Sequence, residues 1–321
     1  MRDRWRLVTM VADYSVRVVT NADEADFSVV LVDDNGDAVA SCAGGGGSCA
    51  PGESCLPSSY VAPHDYEPFQ LDHTAATLDA TVLALTPHAY LKMNDASGLP
   101  QDSSGNAHHA TAISGATYSQ TALTSKANAG IRLTHAITLP PPVAAPDTGI
   151  WSASFLAKFH AYDTLVNGNG FPGILNWCGG SPPKYTLSTS FGGSNSGRLS
   201  NLFDSNFSNI GHASISPFVL GLEVVHAFVI VSNVVAGVSF STVYVDGVPW
   251  VTGFRDGSGT IGTTWDIGQN SGNNSPFFSA ADWTISNFAQ YAAALSYANV
   301  QALTEAMHDA ASFAAAQVFT S

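Results

Sequence analysis

Charge is what this chain has least of. Only 11% of its 321 residues are Asp, Glu, Lys or Arg, against ~25% in an average domain. Lys and Arg number 11 against 25 acids, for a formal net charge of −14. Outside Arg2, Arg4 and Arg6 no basic residues cluster, and counterion release from phosphates needs such clusters, so nucleic acid is excluded as an expected partner. No apolar stretch reaches the ~18 to 20 residues of a membrane span, and Met1-Arg2-Asp3-Arg4-Trp5 leads into no signal-peptide core. The expectation is therefore a chain made in a cytoplasm, without membrane insertion. Cysteine is scarce too. Cys42, Cys49 and Cys55 are close together and Cys178 is far away. A zinc site would need a fourth ligand such as His64, so a local disulfide or free thiols are the expected state.

Several catalytic patterns are also missing. There is no Gly-x-Ser-x-Gly elbow and no His-Glu-x-x-His metal helix. Glu24, Glu53, Glu67, Glu223 and Glu305 stand singly, none with an acid two or four residues away on a plausible strand. Retaining glycoside hydrolysis needs two carboxylates ~5 to 5.5 Å apart, which one strand supplies only from alternate positions. The sequence is thus expected to be non-enzymatic, and no cofactor is expected.

What is present is β pattern, with hydrophobic residues at 45% of the chain. Residues 1–41 alternate apolar and polar through Leu7, Val11, Val16, Val18, Phe27, Val29 and Leu31, with a hairpin signal at Asn35-Gly36. Three or four strands are predicted, read either as a docking module or as an extra layer on the main domain. Residues 42–74, with Gly44 to Gly47, Pro51, Pro57, Pro63 and Pro68, read as a linker. Residues 75–321 are the main domain.

The main domain turns on the stretch Tyr90-Leu91-Lys92 followed by Asp102-Ser103-Ser104-Gly105-Asn106. Asp102 is placed to fold its carboxylate onto backbone N–H groups two or three residues ahead, and Gly105 and Asn106 tolerate positive φ. Downstream, Ser152 to Phe159 reads as a strand with Ala153, Phe155 and Ala157 on one face. Val224 to Val231 reads as a strand buried on both faces, with His226 a hydrogen-bonded core residue. In Ser241 to Trp250, Asp246-Gly247 specifies a type I′ turn pairing Val245 with Val248 and Val243 with Trp250, while Pro249 demands an edge or a bulge. Ser296 is a good N-cap for a terminal helix carrying Val300, Leu303, Met307 and Ala311 on one side, which the Ala-rich residues 309–318 would prolong.

The run from Thr77-Leu78-Asp79 through the Asp102 turn, the Val243-Tyr244-Val245-Asp246-Gly247 hairpin, Trp265-Asp266-Ile267-Gly268 and Trp283 to Tyr291 resemble, in order, the concanavalin A-like, laminin-G-like jelly-roll domains carried by tailed-phage minor tail and fibre proteins. The resemblance covers roughly residues 75–305. It implies an all-β antiparallel jelly-roll β-sandwich with a C-terminal helix. It further implies a surface-exposed virion protein present in many copies, attached to other virion proteins through the N-terminal module, with a host-surface glycan as ligand. A purely structural tail or capsid decoration protein and a glycan hydrolase are the alternatives. Aromatic faces stack on sugar planes while amides meet hydroxyls, so Trp177, Tyr185, Trp265 and Asn270 are the candidate ligand residues. Relatives often carry calcium beside two acids on the last strand. Ser286 and Asn287 stand there in this chain, so calcium is not supported at that point. The adjacent His108 and His109 point to opposite faces of a strand and do not make a shared metal site.

Overall fold

The computed structural model describes residues 7–11, 14–20, 27–32, 38–43, 77–140, 150–162, 173–178, 185–190, 197–203, 214–235, 238–255, 264–268 and 281–317. The chain divides into two compact units, Met1–Phe69 and Gln70–Ser321.

In the first unit, strands β1 (Leu7–Val11), β2 (Tyr14–Thr20), β3 (Phe27–Val32) and β4 (Ala38–Ala43) form an antiparallel meander in sequence order. The Asn35-Gly36 turn lies outside the described residues, but the strands either side of it pair antiparallel, as a hairpin requires. β4 runs on to Ala43 and so takes in Cys42, which the sequence had placed in the linker. Cys49 and Cys55, with the rest of that linker, lie outside the described residues.

The second unit is a two-sheet antiparallel β-sandwich. Its strands are β5 (Ala89–Leu91), β6 (Ala112–Ile113), β7 (Ala116–Gln120), β8 (Gly130–Leu133), β9 (Ala136–Leu139), β10 (Trp151–Ala161), β11 (Gly173–Cys178), β12 (Tyr185–Ser190), β13 (Arg198–Phe203), β14 (Ser214–Val219), β15 (Val225–Val235), β16 (Val238–Val245), β17 (Val248–Arg255), β18 (Thr264–Gly268) and β19 (Asp282–Tyr291). One sheet has eight strands, in the order β17-β16-β15-β10-β19-β8-β7 with β5 also on β19. The other has seven, in the order β14-β13-β12-β11-β18-β9-β6.

The main core lies between the sheets. Ala153, Phe155, Ala157 and Phe159 of β10 meet Phe228, Ile230, Trp283, Ile285 and Phe288 from their own sheet and Leu187, Trp265 and Ile267 from the other, all 1% exposed or less. Phe155 stacks on Phe228 at 4.9 Å and Phe159 on Trp283 at 5.5 Å. A second core covers the outer side of the eight-stranded sheet. Leu156, Ala227, Val229, Ala289 and Tyr291 pack there against Leu78 and Val82 of α1 (Leu78–Ala84) and Val300, Leu303, Ala306 and Met307 of α2 (Tyr297–Met307). This is why β15 reads as an unbroken apolar run: both of its faces are buried.

Thr77 caps α1 and Ser296 caps α2, each hydroxyl accepting an N–H three residues on. The Ala-rich tail does not prolong α2. His308 has extended backbone, φ −91 and ψ 144, and a separate helix α3 (Ala310–Gln317) follows. Ala311 is exposed, whereas the other three residues of the expected stripe are buried. The break turns His308 inward, and its ring reaches Asp246.

Asp246 and Gly247 have φ of 52° and 81°, both positive as a type I′ turn requires, and Val245 pairs with Val248. Val243 pairs with Val251 instead of the expected Trp250, because a bulge after Tyr244↔Pro249 inserts one residue. Pro249 thus has both an edge strand and a bulge. The other sheet edges are interrupted as well. β14 contains Pro217, β6 is two residues long, and β7 breaks register near Ser119, whose φ is 56°.

Two glycines separate strain from collision. Gly105 (φ 93°) has open space where a Cβ would stand, whereas at Gly268 (φ 95°) a Cβ would run into the His135 carbonyl oxygen of the paired strand. In urea unfolding, Gly105→Ala should lower stability by about 1 to 2 kcal/mol, the left-handed backbone penalty alone. Gly268→Ala should lower it by about 3 kcal/mol or more.

Candidate functional site

The Asp102 corner is structural, and its carboxylate is fully used. Oδ1 accepts the backbone N–H groups of Tyr90 and Ser104, each at 2.8 Å, and Oδ2 accepts the His108 N–H at 2.9 Å and the Ser104 hydroxyl at 2.8 Å. Gly105 takes the positive φ, but the second left-handed residue is Ala107 (φ 58°), not Asn106. Asn106 instead donates its side-chain amide to the carbonyls of Pro87 and His88, each at 3.0 Å, tying the corner to the start of β5. His108 stacks on His88 at 3.8 Å, and His109 Nδ1 accepts the Asp102 N–H.

The outer face of the seven-stranded sheet holds a polar row. Ile137, Leu139, Trp265 and Ile267 face the core, so the intervening Thr138 and Asp266 lie on the opposite side of the sheet, where Thr138 is half-buried and Asp266 is 0% exposed. The Thr138 hydroxyl donates to Asp266 Oδ1 at 2.7 Å. In register, Asp266 is followed by Asn176 on β11 and Thr186 on β12. These four positions are in register on adjacent strands, ~4.8 Å apart, and the side chains of Asn176 and Thr186 lie outside the described residues. No described helix packs on this sheet; those of the second core cover the other one.

Of the sequence's ligand candidates, the side chain of Trp265 alone is among the described residues. Trp265 is 0% exposed, edge-on to Trp151 at 4.9 Å in the inter-sheet core, so its ring is closed to a ligand. Its neighbours in register are Trp177 and, beyond it, Tyr185. The side chains of Trp177 and Tyr185, and Asn270 altogether, lie outside the described residues. The register of Trp265 with Leu139 puts its ring on the core side, which the segment around Trp265 does not reveal by itself.

A second polar cluster, on the outer side of the eight-stranded sheet, escaped the sequence reading. His160 Nδ1 meets Glu223 Oε1 at 2.6 Å and Nε2 meets the Thr284 hydroxyl at 2.9 Å, while Lys158 Nζ is 3.1 Å from Glu223 Oε2. Arg132 forms a two-pronged bridge to Asp282 at 2.7 and 2.5 Å. The signal for half of it was there, since Lys158 and His160 are two apart on one strand. Glu223 arrives from a loop, at φ 62°.

At the expected cation position, Asn287 spends its side chain internally. Its oxygen accepts the Asn128 N–H at 3.0 Å and its amide donates to Tyr90 Oη at 2.6 Å. With neither it nor Ser286 supplying a carboxylate, these residues do not fit a calcium ion. Among the described residues, no group of three or more His, Cys, Asp or Glu is arranged to hold a metal.

Each described carboxyl whose pKa moves is moved down. Burial opposes ionisation of Asp246, but His226 and His308 outweigh it and hold the group at about 2. Burial likewise opposes ionisation of Asp79 and Asp102, and is outweighed at Asp79 by Lys92 and Tyr90 and at Asp102 by the N–H groups of the corner. Backbone N–H groups of Ser125 and Ser312 pull Asp309 down, and His160 followed by Lys158 pulls down Glu223. A depressed carboxyl stabilises the fold above its ordinary pKa and loses that contribution as pH falls through the folded value. Stability should therefore be level above about pH 5 and fall from about pH 4 to about pH 2. Asp246→Asn should flatten part of that slope, on the order of 2 kcal/mol, in urea titrations at successive pH values.

No protein family and no curated protein matches this chain. Among solved structures, a Trypanosoma rangeli sialidase in complex with a difluoro-KDN inhibitor is 14% identical, with a TM-score of 0.49 over 67% of this chain and 32% of that one. The binding domain of Paraclostridial Mosquitocidal Protein 1 is 13% identical, with a TM-score of 0.49 over 69% and 52%. The Botulinum Neurotoxin Type G receptor binding domain is 13% identical, with a TM-score of 0.45 over 68% and 51%. The chain thus spans about a third of the sialidase and about half of each binding domain.

Proposed function

We propose that this chain is a non-catalytic adhesion protein of a tailed-phage virion, whose β-sandwich binds host-surface glycans through the outer face of the seven-stranded sheet. The observation that supports the reading is the asymmetry of the sandwich: the described helices pack on one sheet only, while on the other Thr138, Asp266, Asn176 and Thr186 hold positions in register across four strands, with Asp266 itself buried. Hydroxyl, amide and carboxylate groups on neighbouring strands suit a ligand rich in hydroxyls. The virion assignment rests on the motif resemblance, and the four-stranded first unit is the natural attachment point to other virion proteins. Display in many copies would let weak single-site binding sum to adhesion.

The state of the carboxylates supports binding over hydrolysis. Glycoside hydrolysis requires one carboxyl held protonated near neutral pH as general acid. The shifted carboxyls among the described residues are each held ionised.

The full chain, displayed multivalently on a glycan array, should bind a subset of bacterial surface glycans, and Asn176→Ala should reduce bound signal about tenfold with unchanged thermal midpoint. Binding to no glycan would remove the adhesion reading in favour of structural decoration. Release of reducing sugar from host cell wall would overturn the non-catalytic one.

A further inference from the structure

The sheet of the first unit has two unlike faces. In its register, Val16 and Val18 of β2 stand opposite Leu31 and Val29 of β3, and these stand opposite Ala40 and Cys42 of β4. The pairs Val11↔Tyr14 and Thr20↔Phe27 fall on the same face, since residues alternate sides along a strand. None of these positions is charged. Arg17, the one charged residue in the four strands, belongs to the other face, with Ser15, Ser28 and Ser41.

A sheet with one apolar face needs a second layer over it. Among the described residues the first unit has these four strands and no helix. The rest of that unit's sequence, residues 44–69, opens on Gly44 to Gly47 and is then cut by Pro51, Pro57, Pro63 and Pro68. The stretches between those prolines are five, five and four residues long, whereas β1 to β4 run for five to seven. With turns to be made in each stretch, that sequence does not provide a matching sheet. A β piece of about 40 residues is also at the size where association commonly completes a core. The dimensions agree. Four strands ~4.8 Å apart, with about six residues each at ~3.3 Å, make a face about 19 Å by about 20 Å. A cover must be flat, uncharged and of that extent, and another copy of the same sheet is all three.

We propose that this face packs on the same face of a second copy of the chain, closing a two-layer stack across a two-fold axis. One apolar surface, used twice, then makes the whole core of the pair. Its footprint is about 400 Å² per copy in projection, small beside the ~800 Å² of accessible surface that a standard interface takes from each partner, so the pair separates on dilution. The face of Arg17 is not used, which leaves it to the attachment role proposed above. Such pairing uses the first unit alone and is independent of glycan binding by the sandwich.

Sedimentation equilibrium of the full chain tests the pairing. The chain should be mostly dimeric at about 100 µM and dissociate towards about 1 µM. Leu31→Lys, which sets a charge in the centre of the apolar face, should leave a monomer throughout. Ser41→Lys, which adds the same charge to the other face of the same sheet, should dimerise like the parent. If Leu31→Lys unfolds the first unit, Val18→Thr serves in its place, being close in volume and suited to a strand, and should raise the dissociation constant about tenfold. A parent chain that is monomeric at about 100 µM would overturn the proposal, the cover then coming from within the chain or from another protein. Unchanged association in both Leu31→Lys and Val18→Thr, or a loss in Ser41→Lys equal to that in Leu31→Lys, would overturn it as well.

Discussion

Burial of β10, β15 and β19 on both faces is the constraint from which the rest of the second unit follows. A strand that is apolar on one side can float on the edge of a core, but these three carry Phe155, Phe228 and Phe288 on one side and Leu156, Val229 and Tyr291 on the other. Two separate covers are then needed. The seven-stranded sheet supplies one and the helices α1 and α2 the other. The helices are part of the hydrophobic closure of the sandwich.

The polar chemistry is spent on holding these layers in place. Asp79 joins α1 to β5 through Tyr90 and Lys92, Asp102 closes the corner, Asp246 joins the hairpin to β15 and the helix junction, and Asp309 ties α3 to the segment before β8. With so few charges in the chain, most described ones have a structural partner. A carboxylate committed in this way is held ionised and is poorly suited to donating a proton to a leaving group.

Much of the fold was legible because strand signals are local. The double-sided run at Val225 to Val231, the Asp246-Gly247 turn, the Asp102 corner and the cap at Ser296 each depend on residues within a few positions of one another. Non-local facts were not legible. The one-residue slip at Pro249 depends on the neighbouring strand, the strands β13 and β14 hide in a Gly/Ser/Asn-rich tract, and the helix break at His308 exists because a carboxylate 62 residues earlier attracts its ring. The site suffered most from this. Trp265 looks like a sugar platform as a single residue and proves to be core once its register with Leu139 and its contact with Trp151 are known. Conversely, the alignment of Thr138 with Asp266 across two strands cannot be read from either segment alone.

The interrupted sheet edges bear on how such molecules live beside one another. Proline in β14 and β17, the bulges in β17 and β7 and the two-residue β6 each withhold the straight ladder of free amides that a neighbouring chain would need to extend either sheet. Copies of this sandwich can be crowded together without templating fibrils on each other. Contacts between copies would have to use faces, loops or the first unit, so that each sandwich keeps its own outline.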